Sequence, residues 1–543
     1  MKSRPDRPRP SFILILAVLF FILLEMLAPD RNEEDSSPQA GGTLLLAFSM
    51  PILSLDPYSF GYGAQNELFP FIYSFLLTPR PDGGFDPDLA MRWWSENDEL
   101  DWHFVLRPEA RFHDGRPVLA QDAAYSVEQM LKLNPVLAEN VESIESSQPR
   151  RLHIRLKRRV PDFLYKISIE SVVPRPRPDD PELDRQPIGS GPYLVAARDK
   201  DRRLLLKRWD GYYGRQPYIP EVSVMYEPNE ETIWLQYMQG DIHFCLNSSP
   251  ENVYYMRIEP SHYLLEGRLS SGATILLFNN RHSFFSDRSV RRALAQVLNI
   301  EGHIRRDIKG LAEACPGPLG RMSPFLPPDS GPSLPDWKSA AQTLAQAGWE
   351  DHDADMYRDR DGQDFEFDLL VPDNYQTELA TAEYIQRAFN QFGIKANLVR
   401  KRYDEMVQSD LKPGAFAACL NTQNTNPRAL GVLYLWWSSG PGGLGNYGGY
   451  KNEKVDQALE EMLRVDREKD YAGPLAVVHQ QVLKDQPAVW FYHLYQVYAF
   501  SPRLKGVVRP NPEFYLTRPL LDTWIGPRPR WWPRSLRTGE VLP

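Results

Sequence analysis

Three places in the chain set chemically competent side chains close together. His113-Asp114 puts an imidazole beside a carboxylate, the pair that general-base work requires. Neighbours on a tight turn point apart, so a structural use is expected there. Gly189-Ser190-Gly191 holds a serine between glycines, but without the G-x-S-x-G spacing that raises a nucleophile on a strand-to-helix elbow. Asp351-His352-Asp353-Ala354-Asp355 begins like a calcium loop. It fails at position six, where Met356 stands in place of glycine, and at position twelve, where Gly362 replaces the bidentate glutamate. The chain has neither HExxH nor the glycine-rich phosphate loop ending in Lys and Ser or Thr. Cys245, Cys315 and Cys419 form no CxxC and are expected to be buried packing residues. No catalytic residue, metal site or cofactor is predicted, which points away from an enzyme.

The elements around His113 are sharply written. Asp101-Trp102-His103-Phe104-Val105-Leu106 alternates polar and apolar residues, the mark of a half-buried strand. Arg111-Phe112-His113-Asp114-Gly115-Arg116-Pro117 follows as a turn, with Gly for positive φ and Pro to stop pairing. Gln121-Asp122 then opens an amphipathic helix with Ala124, Val127 and Leu131 at helical spacing. Farther on, Glu378 to Asn390 places Leu379, Ala382, Ile385 and Phe389 on one helical face. Gly393 caps it, and Ile394 to Val399 reads as a strand, so βαβ packing is expected. At 543 residues the chain exceeds one core and predicts two or three domains.

The order strand, Arg, FHDG, Pro, Asp, helix resembles the signature of the family 5 extracellular solute-binding proteins, the peptide, dipeptide and nickel receptors of ABC importers. Other segments agree in order. They are Gly42-Thr43-Leu44 through Leu55-Asp56-Pro57, Ile188-Gly189-Ser190-Gly191-Pro192-Tyr193, Gln239-Gly240-Asp241-Ile242, Phe278-Asn279-Asn280 and Phe285 to Leu294 (FSDRSVRRAL). Ala345 to Trp349 (AQAGW) and Tyr450 to Leu459 (YKNEKVDQAL) complete the series, which spans roughly residues 41 to 500. The resemblance implies an α/β fold of the periplasmic binding protein type (type II, three-lobed, cluster C-like). Lobe I would comprise 41–78, 185–275 and 496–543, lobe II 79–184, and lobe III 276–495.

The family's ligand loop, GWxxDxxDP, aligns with Cys419 to Pro427 (CLNTQNTNP). In peptide-binding members the first Asp pairs with the ligand's α-ammonium, and an Arg three residues before the Trp takes its carboxylate. Gln423 and Ala417 occupy those positions here, and Leu420 stands at the Trp. The resemblance therefore implies a solute that is uncharged or blocked at its termini, because a charge-assisted hydrogen bond contributes about 1.5–3 kcal/mol. Asn421, Gln423, Asn424 and Asn426 offer neutral amides in exchange, with Trp436, Trp437 and Tyr447 nearby. On the facing lobe Tyr62, Gln65, Asn66 and Phe69 fall where family members bring side chains to the cleft.

Lys2, Arg4, Arg7 and Arg9 precede an unbroken apolar run, Phe12 to Leu24. It has the length of a signal-peptide core and falls short of the roughly 20 residues of a membrane span. No Cys follows for lipid attachment, and Met26-Leu27-Ala28 is a poor cleavage site. Residues 1–28 are thus read as a signal peptide or, in preference, an uncleaved inner-membrane anchor, and 29–40 as a polar tether. The expected location is periplasmic. A net charge of −9, with no basic cluster, argues against nucleic acid as a partner. The partners implied are a small-molecule or peptide-like ligand and ABC permease subunits, with the receptor itself a monomer. A membrane-tethered sensor or scaffold that kept the fold without transport is the alternative. Arg528, Arg530, Arg534, Trp531 and Trp532 end the chain as a packing or interfacial segment.

Overall fold

The computed structural model describes residues 38–49, 51–52, 54–58, 65–80, 84–133, 135–160, 163–168, 171–172, 186–199, 203–246, 264–331, 334–373, 376–425, 436, 438, 446–464, 468–507 and 518–526. The predicted N-terminal helix and tether and the C-terminal Trp/Arg segment lie outside these residues. Among the described residues no helix is long and apolar enough to cross a membrane.

One 11-stranded sheet runs through most of the molecule. Its order is Tyr193–Asp199, Arg203–Arg208, Glu221–Tyr226, Thr43–Phe48, Phe244–Leu246, Ala488–Phe500, Leu264–Phe278, Ala418–Asn424, Glu366–Pro372 and Lys395–Lys401, with Ala312–Ala314 also pairing to Ala488–Phe500. The two longest strands, Leu264–Phe278 and Ala488–Phe500, lie antiparallel at its centre, from Leu264 opposite Phe500 to Leu277 opposite Ala488. They cross from one half of the sheet to the other. Phe500 belongs to a core with Leu44, Leu46, Phe48, Val222 and Val224. Val489 and Phe491 instead join Leu276, Phe278, Leu369, Ile385 and Phe389, while Trp490 packs on the opposite face with Leu277, Cys419 and Trp436.

A separate four-stranded antiparallel sheet pairs Ala90–Glu96, Asp101–Leu106, Arg151–Leu156 and Val141–Gln148. The helix Ala120–Leu133 covers it, burying Ala123, Val127 and Met130 against Phe104, Leu152 and Ile154. Leu119 N–H donates to Asp122 Oδ2 at 2.8 Å, closing the helix start.

Two signature motifs meet where this unit joins the large sheet. In the FHDG turn Gly115 takes φ 85°, and Phe112 N–H donates to Arg116 O at 2.8 Å. His113 N–H donates to Gly189 O at 2.8 Å, while Gly189 N–H donates to His113 Nδ1 at 3.2 Å. That leaves Nε2–H to donate to Gly191 O, 3.1 Å away. The imidazole is a neutral clasp, and burial pushes its pKa down to about 4. The glycines serve close approach. A Cβ on Gly189 would sit 1.9 Å from Ile72 O, and one on Gly191 2.6 Å from the Ile72 carbonyl carbon.

Arg291 of the FSDRSVRRAL segment is likewise structural. Buried in the helix Arg288–Val297, it donates to Phe285 O (2.6 Å), Ser286 O (3.2 Å), Asp485 O (2.7 Å) and Gln486 O (3.1 Å). Cys245, Cys315 and Cys419 are buried and unbridged.

Candidate functional site

Ligands of open α/β sheets bind beyond the carboxyl ends of parallel strands. Thr43–Phe48 and Glu221–Tyr226 are parallel, and the helix Glu230–Gln239 begins just past the end of the second. In the other half, Glu366–Pro372 runs parallel to Lys395–Lys401 and Ala418–Asn424, and the helix Gln376–Gln391 begins just past its end. Both helix starts flank the middle of the crossing strands, where the pairing register breaks between Leu269 and Ala273 and again between Thr274 and Ile275. His493 holds this region together. Its Nε2 accepts from Arg321 N–H at 3.2 Å and its Nδ1–H donates to Gly272 O at 3.2 Å.

The loop residues lie on the adjacent strand. Gln423 pairs with Ala273 and Asn421 with Ile275. Both are buried, Gln423 to 1% exposure. Asn421 Oδ1 accepts from Tyr403 Oη at 3.2 Å and from Thr422 N–H at 2.9 Å. Gln423 differs, because neither its Oε1 nor its Nε2 meets a hydrogen-bond partner among the described residues. The indole N–H groups of Trp436 and Trp490, whose rings lie 5.6 Å apart, are also unpartnered there. Buried amides and indoles rarely go unsatisfied, since desolvation without a replacement bond costs about 1–3 kcal/mol.

The opposite face of the same strand carries an acid. Thr422 Oγ1 donates to Glu378 Oε1 at 3.4 Å, and Thr377 Oγ1 to Glu378 Oε2 at 2.9 Å. Glu378 is 5% exposed, and burial holds its carboxyl above the usual range. Glu230, at the start of the other helix, accepts from Ser49 Oγ at 3.5 Å. Burial raises its pKa, with a smaller contribution from the charge of Glu378. Behind Glu378 runs a buried polar chain. Tyr492 Oη lies 2.7 Å from Thr381 Oγ1, which lies 3.0 Å from His303 Nε2, whose Nδ1 lies 2.8 Å from Asp307 Oδ2.

Of the residues named from sequence, Asn421, Gln423 and Trp436 are thus buried beside the crossing strands, and Tyr447 is half-buried. Phe69 belongs to the core cluster that holds Leu44, Leu68 and Phe71. It is 5% exposed and packs edge-on against Tyr73 at 5.6 Å. Gln65 and Asn66 open the helix Gln65–Ile72 and Asn424 ends its strand, but their side chains lie outside the described residues, as do Tyr62, Asn426 and Trp437 entirely. Sequence reasoning did not single out the buried Glu378 or Glu230. The signal was an acidic residue in the first turn of a helix directly after a strand. The Asp351 segment does gather carboxylates, with Asp351, Asp353 and Asp359 within 4.8 Å of one another. Met356 N–H, Asp355 N–H and His352 already donate to them. A groove of about 1010 Å³ is lined by Asn279, Arg281, Glu366, Asp368, Lys401, Asp410 and Ala417.

The family profile described as bacterial extracellular solute-binding proteins, family 5 Middle, matches residues 84–443. The chain belongs to this family. Its architecture is similar to the structure of the oligopeptide-binding protein AppA from Bacillus subtilis in complex with a nonapeptide, at TM-score 0.80 and 21% identity over 90% of this chain and all of that one. The AppA sequence is 23% identical over 93% of this chain and 98% of its own length. NikZ from Campylobacter jejuni, solved with Ni(L-His), superimposes at TM-score 0.77 and 20% identity over 89% of this chain and 99% of its own. The HTH-type transcriptional regulator SgrR of Pectobacterium atrosepticum is 29% identical over 47% of this chain and 44% of its length. The mixed α/β fold is that of the periplasmic binding proteins, and the protein is an extracellular solute-binding receptor.

Proposed function

We propose that this receptor captures a small organic or peptide-like solute in the crevice over the crossing strands. The lobes predicted from sequence close around it, and the loaded form is presented to ABC permease subunits. Gln423 carries the reading. It stands at the ligand loop, 1% exposed, with both ends of its amide unpartnered among the described residues, and the indole N–H groups of Trp436 and Trp490 are unpartnered among them as well. A solute's carbonyl and N–H groups satisfy all of them at once. Asn421, Asn424, Asn426, Trp437 and Tyr447, with Tyr62, Gln65 and Asn66 from the facing lobe, complete the proposed wall. The protein breaks no bonds, acts as a monomer, and is held at the inner membrane by its uncleaved N-terminal segment. Native mass spectrometry of the protein as purified tests this. A bound small molecule, lost on Gln423→Ala, is the expected result, and a solute retained at full occupancy by that variant rejects the site.

A second reading is a ligand sensor without transport. The match to a transcriptional regulator over about half of the chain favours it. A neighbouring permease and ATPase gene decides for transport.

A further inference from the structure

The groove lined by Arg281 and Ala417 has the features of a binding site and stands apart from Gln423. Ala417 directly precedes the strand Ala418–Asn424. Gln423 lies six positions farther on, roughly 20 Å away at about 3.3 Å per residue. The floor is built from Glu366–Pro372 and Lys395–Lys401, where Asp368 pairs with Asn397 and Leu370 with Val399. One wall follows the π-helical turn Val407–Leu411, a rare geometry that recurs at functional sites. This turn buries Asp410, whose two oxygens each accept from Lys401 Nζ at 3.0 Å. The chain then reaches Gly414 at φ 72°, which seats Arg281 together with Gly449 at φ 62°. A Cβ on Gly414 would lie 2.6 Å from Arg281 Nη2, and one on Gly449 2.9 Å from its Cζ. The guanidinium is fixed on this seat, donating from Nη2 to Tyr447 O at 2.7 Å and from Nε to Asn279 Oδ1 at 3.3 Å. The rest of its five N–H groups meet no acceptor among the described residues, and it forms no ion pair there. Lys401 is taken by Asp410, and Glu366 accepts from Asn397 Nδ2 at 2.9 Å. Asp368 is exposed and has no partner among the described residues. The groove therefore offers one seated cation and one anion without counter-charges, with Leu370, Val399 and Phe416 as apolar lining.

We propose that this groove is a second binding site, outside the crevice, for a short dipolar solute of the amino acid or dipeptide class. The solute's carboxylate takes the open side of the Arg281 fork, whose planar donors match two carboxylate oxygens. Because the fork is already held, little rotamer freedom is lost on binding. The solute's ammonium faces Asp368, and an aliphatic side chain lies on Leu370 and Val399. A dianion such as phosphate gains Arg281 but meets the like charges of Asp368 and Glu366, which disfavour it. The site does not depend on the crevice reading, since neither Asn421 nor Gln423 lines it.

Calorimetry on the full chain tests it with four probes: the dipeptide Gly-Leu, its N-acetylated form, its C-terminal amide and inorganic phosphate. Gly-Leu binds at least tenfold more tightly than either blocked form, and phosphate gives no heat of binding. One Gly-Leu site per chain is lost or weakened tenfold or more in Arg281→Gln, weakened severalfold in Asp368→Asn, and kept in Gln423→Ala. Both groove residues are exposed, so these variants fold with an unchanged thermal midpoint. Arg281→Lys, which keeps the charge and loses the fork, recovers only part of the affinity. Binding that survives Arg281→Gln and disappears in Gln423→Ala places the dipeptide in the crevice and overturns the groove site while supporting the receptor reading. Equal affinity for the free and blocked forms, or binding of phosphate in place of the dipeptide, overturns the dipolar class. No binding of Gly-Leu overturns the proposal and leaves the crevice to be judged by the solute retained on purification.

Discussion

His113→Gln tests whether the signature turn works as a neutral clasp. Burial lowers the imidazole pKa from 6.5 to about 4, so the fold favours the unprotonated ring. The unfolded chain takes up its proton near pH 6.5 and the folded one only near pH 4. The contribution is therefore complete above pH 6.5 and lost as pH falls toward 4. Each tenfold is about 1.4 kcal/mol, so the full loss is about 3 kcal/mol, of which about 2 falls between pH 7 and pH 4.5. At pH 7 the variant forfeits the contacts to Gly189 and Gly191, worth about 2 kcal/mol together. Urea unfolding of both proteins at pH 7, 5.5 and 4.5 should show that gap closing as pH falls. His479, also pushed down to about 4 by burial, is present in both proteins and cancels in the difference. A gap of the same size at every pH would refute the neutral clasp.

Gly191→Ala drives a Cβ to 2.6 Å from the Ile72 backbone and should cost about 3 kcal/mol, read as a lower thermal midpoint, whereas Gly473→Ala, at a helical site with open space, should gain up to about 1 kcal/mol. Arg291→Met strands four carbonyls and should lower the urea midpoint by the equivalent of about 3 kcal/mol or more. The buried thiols, with Cys315 pushed up to about 12, should react slowly with a thiol reagent in the native protein and number three after denaturation; a count of one would mean a bridge. Full-length protein should pellet with membranes and resist carbonate extraction, and a mature chain starting near Ala28 or Ala40 on N-terminal sequencing would remove the anchor.

The fold was legible wherever local chemistry is obligatory. The FHDG turn needs a glycine at φ 85°, the GSG turn needs hydrogen for side chains beside Ile72, and both announce themselves as short strings. The βαβ unit also read correctly, with Ala382, Ile385 and Phe389 fully buried. The same periodicity hid Glu378, a buried polar residue whose partner Thr422 lies 44 residues away. Phe69 is hard to place from sequence for the converse reason. An aromatic side chain carries no sign of whether it will face a neighbour helix or a ligand, and here Tyr73 claims it. The crevice is assembled from chain separated by hundreds of residues, which spacing cannot report.

The central ribbon sets the timetable of folding. Ala488–Phe500 is, among the described residues, the last strand longer than two residues, yet it pairs with Phe244–Leu246 and with Leu264–Phe278 and contributes side chains to cores in both halves. Loop closure over such distances is slow and unrewarded until the contacts form. Both halves of the sheet thus lack a central strand until Ala488–Phe500 has been made, and neither can close before then. For a protein that works outside the cytoplasm this late completion is an asset. The polypeptide stays threadable until that strand has been made, and the sheet locks only once it has joined the two halves.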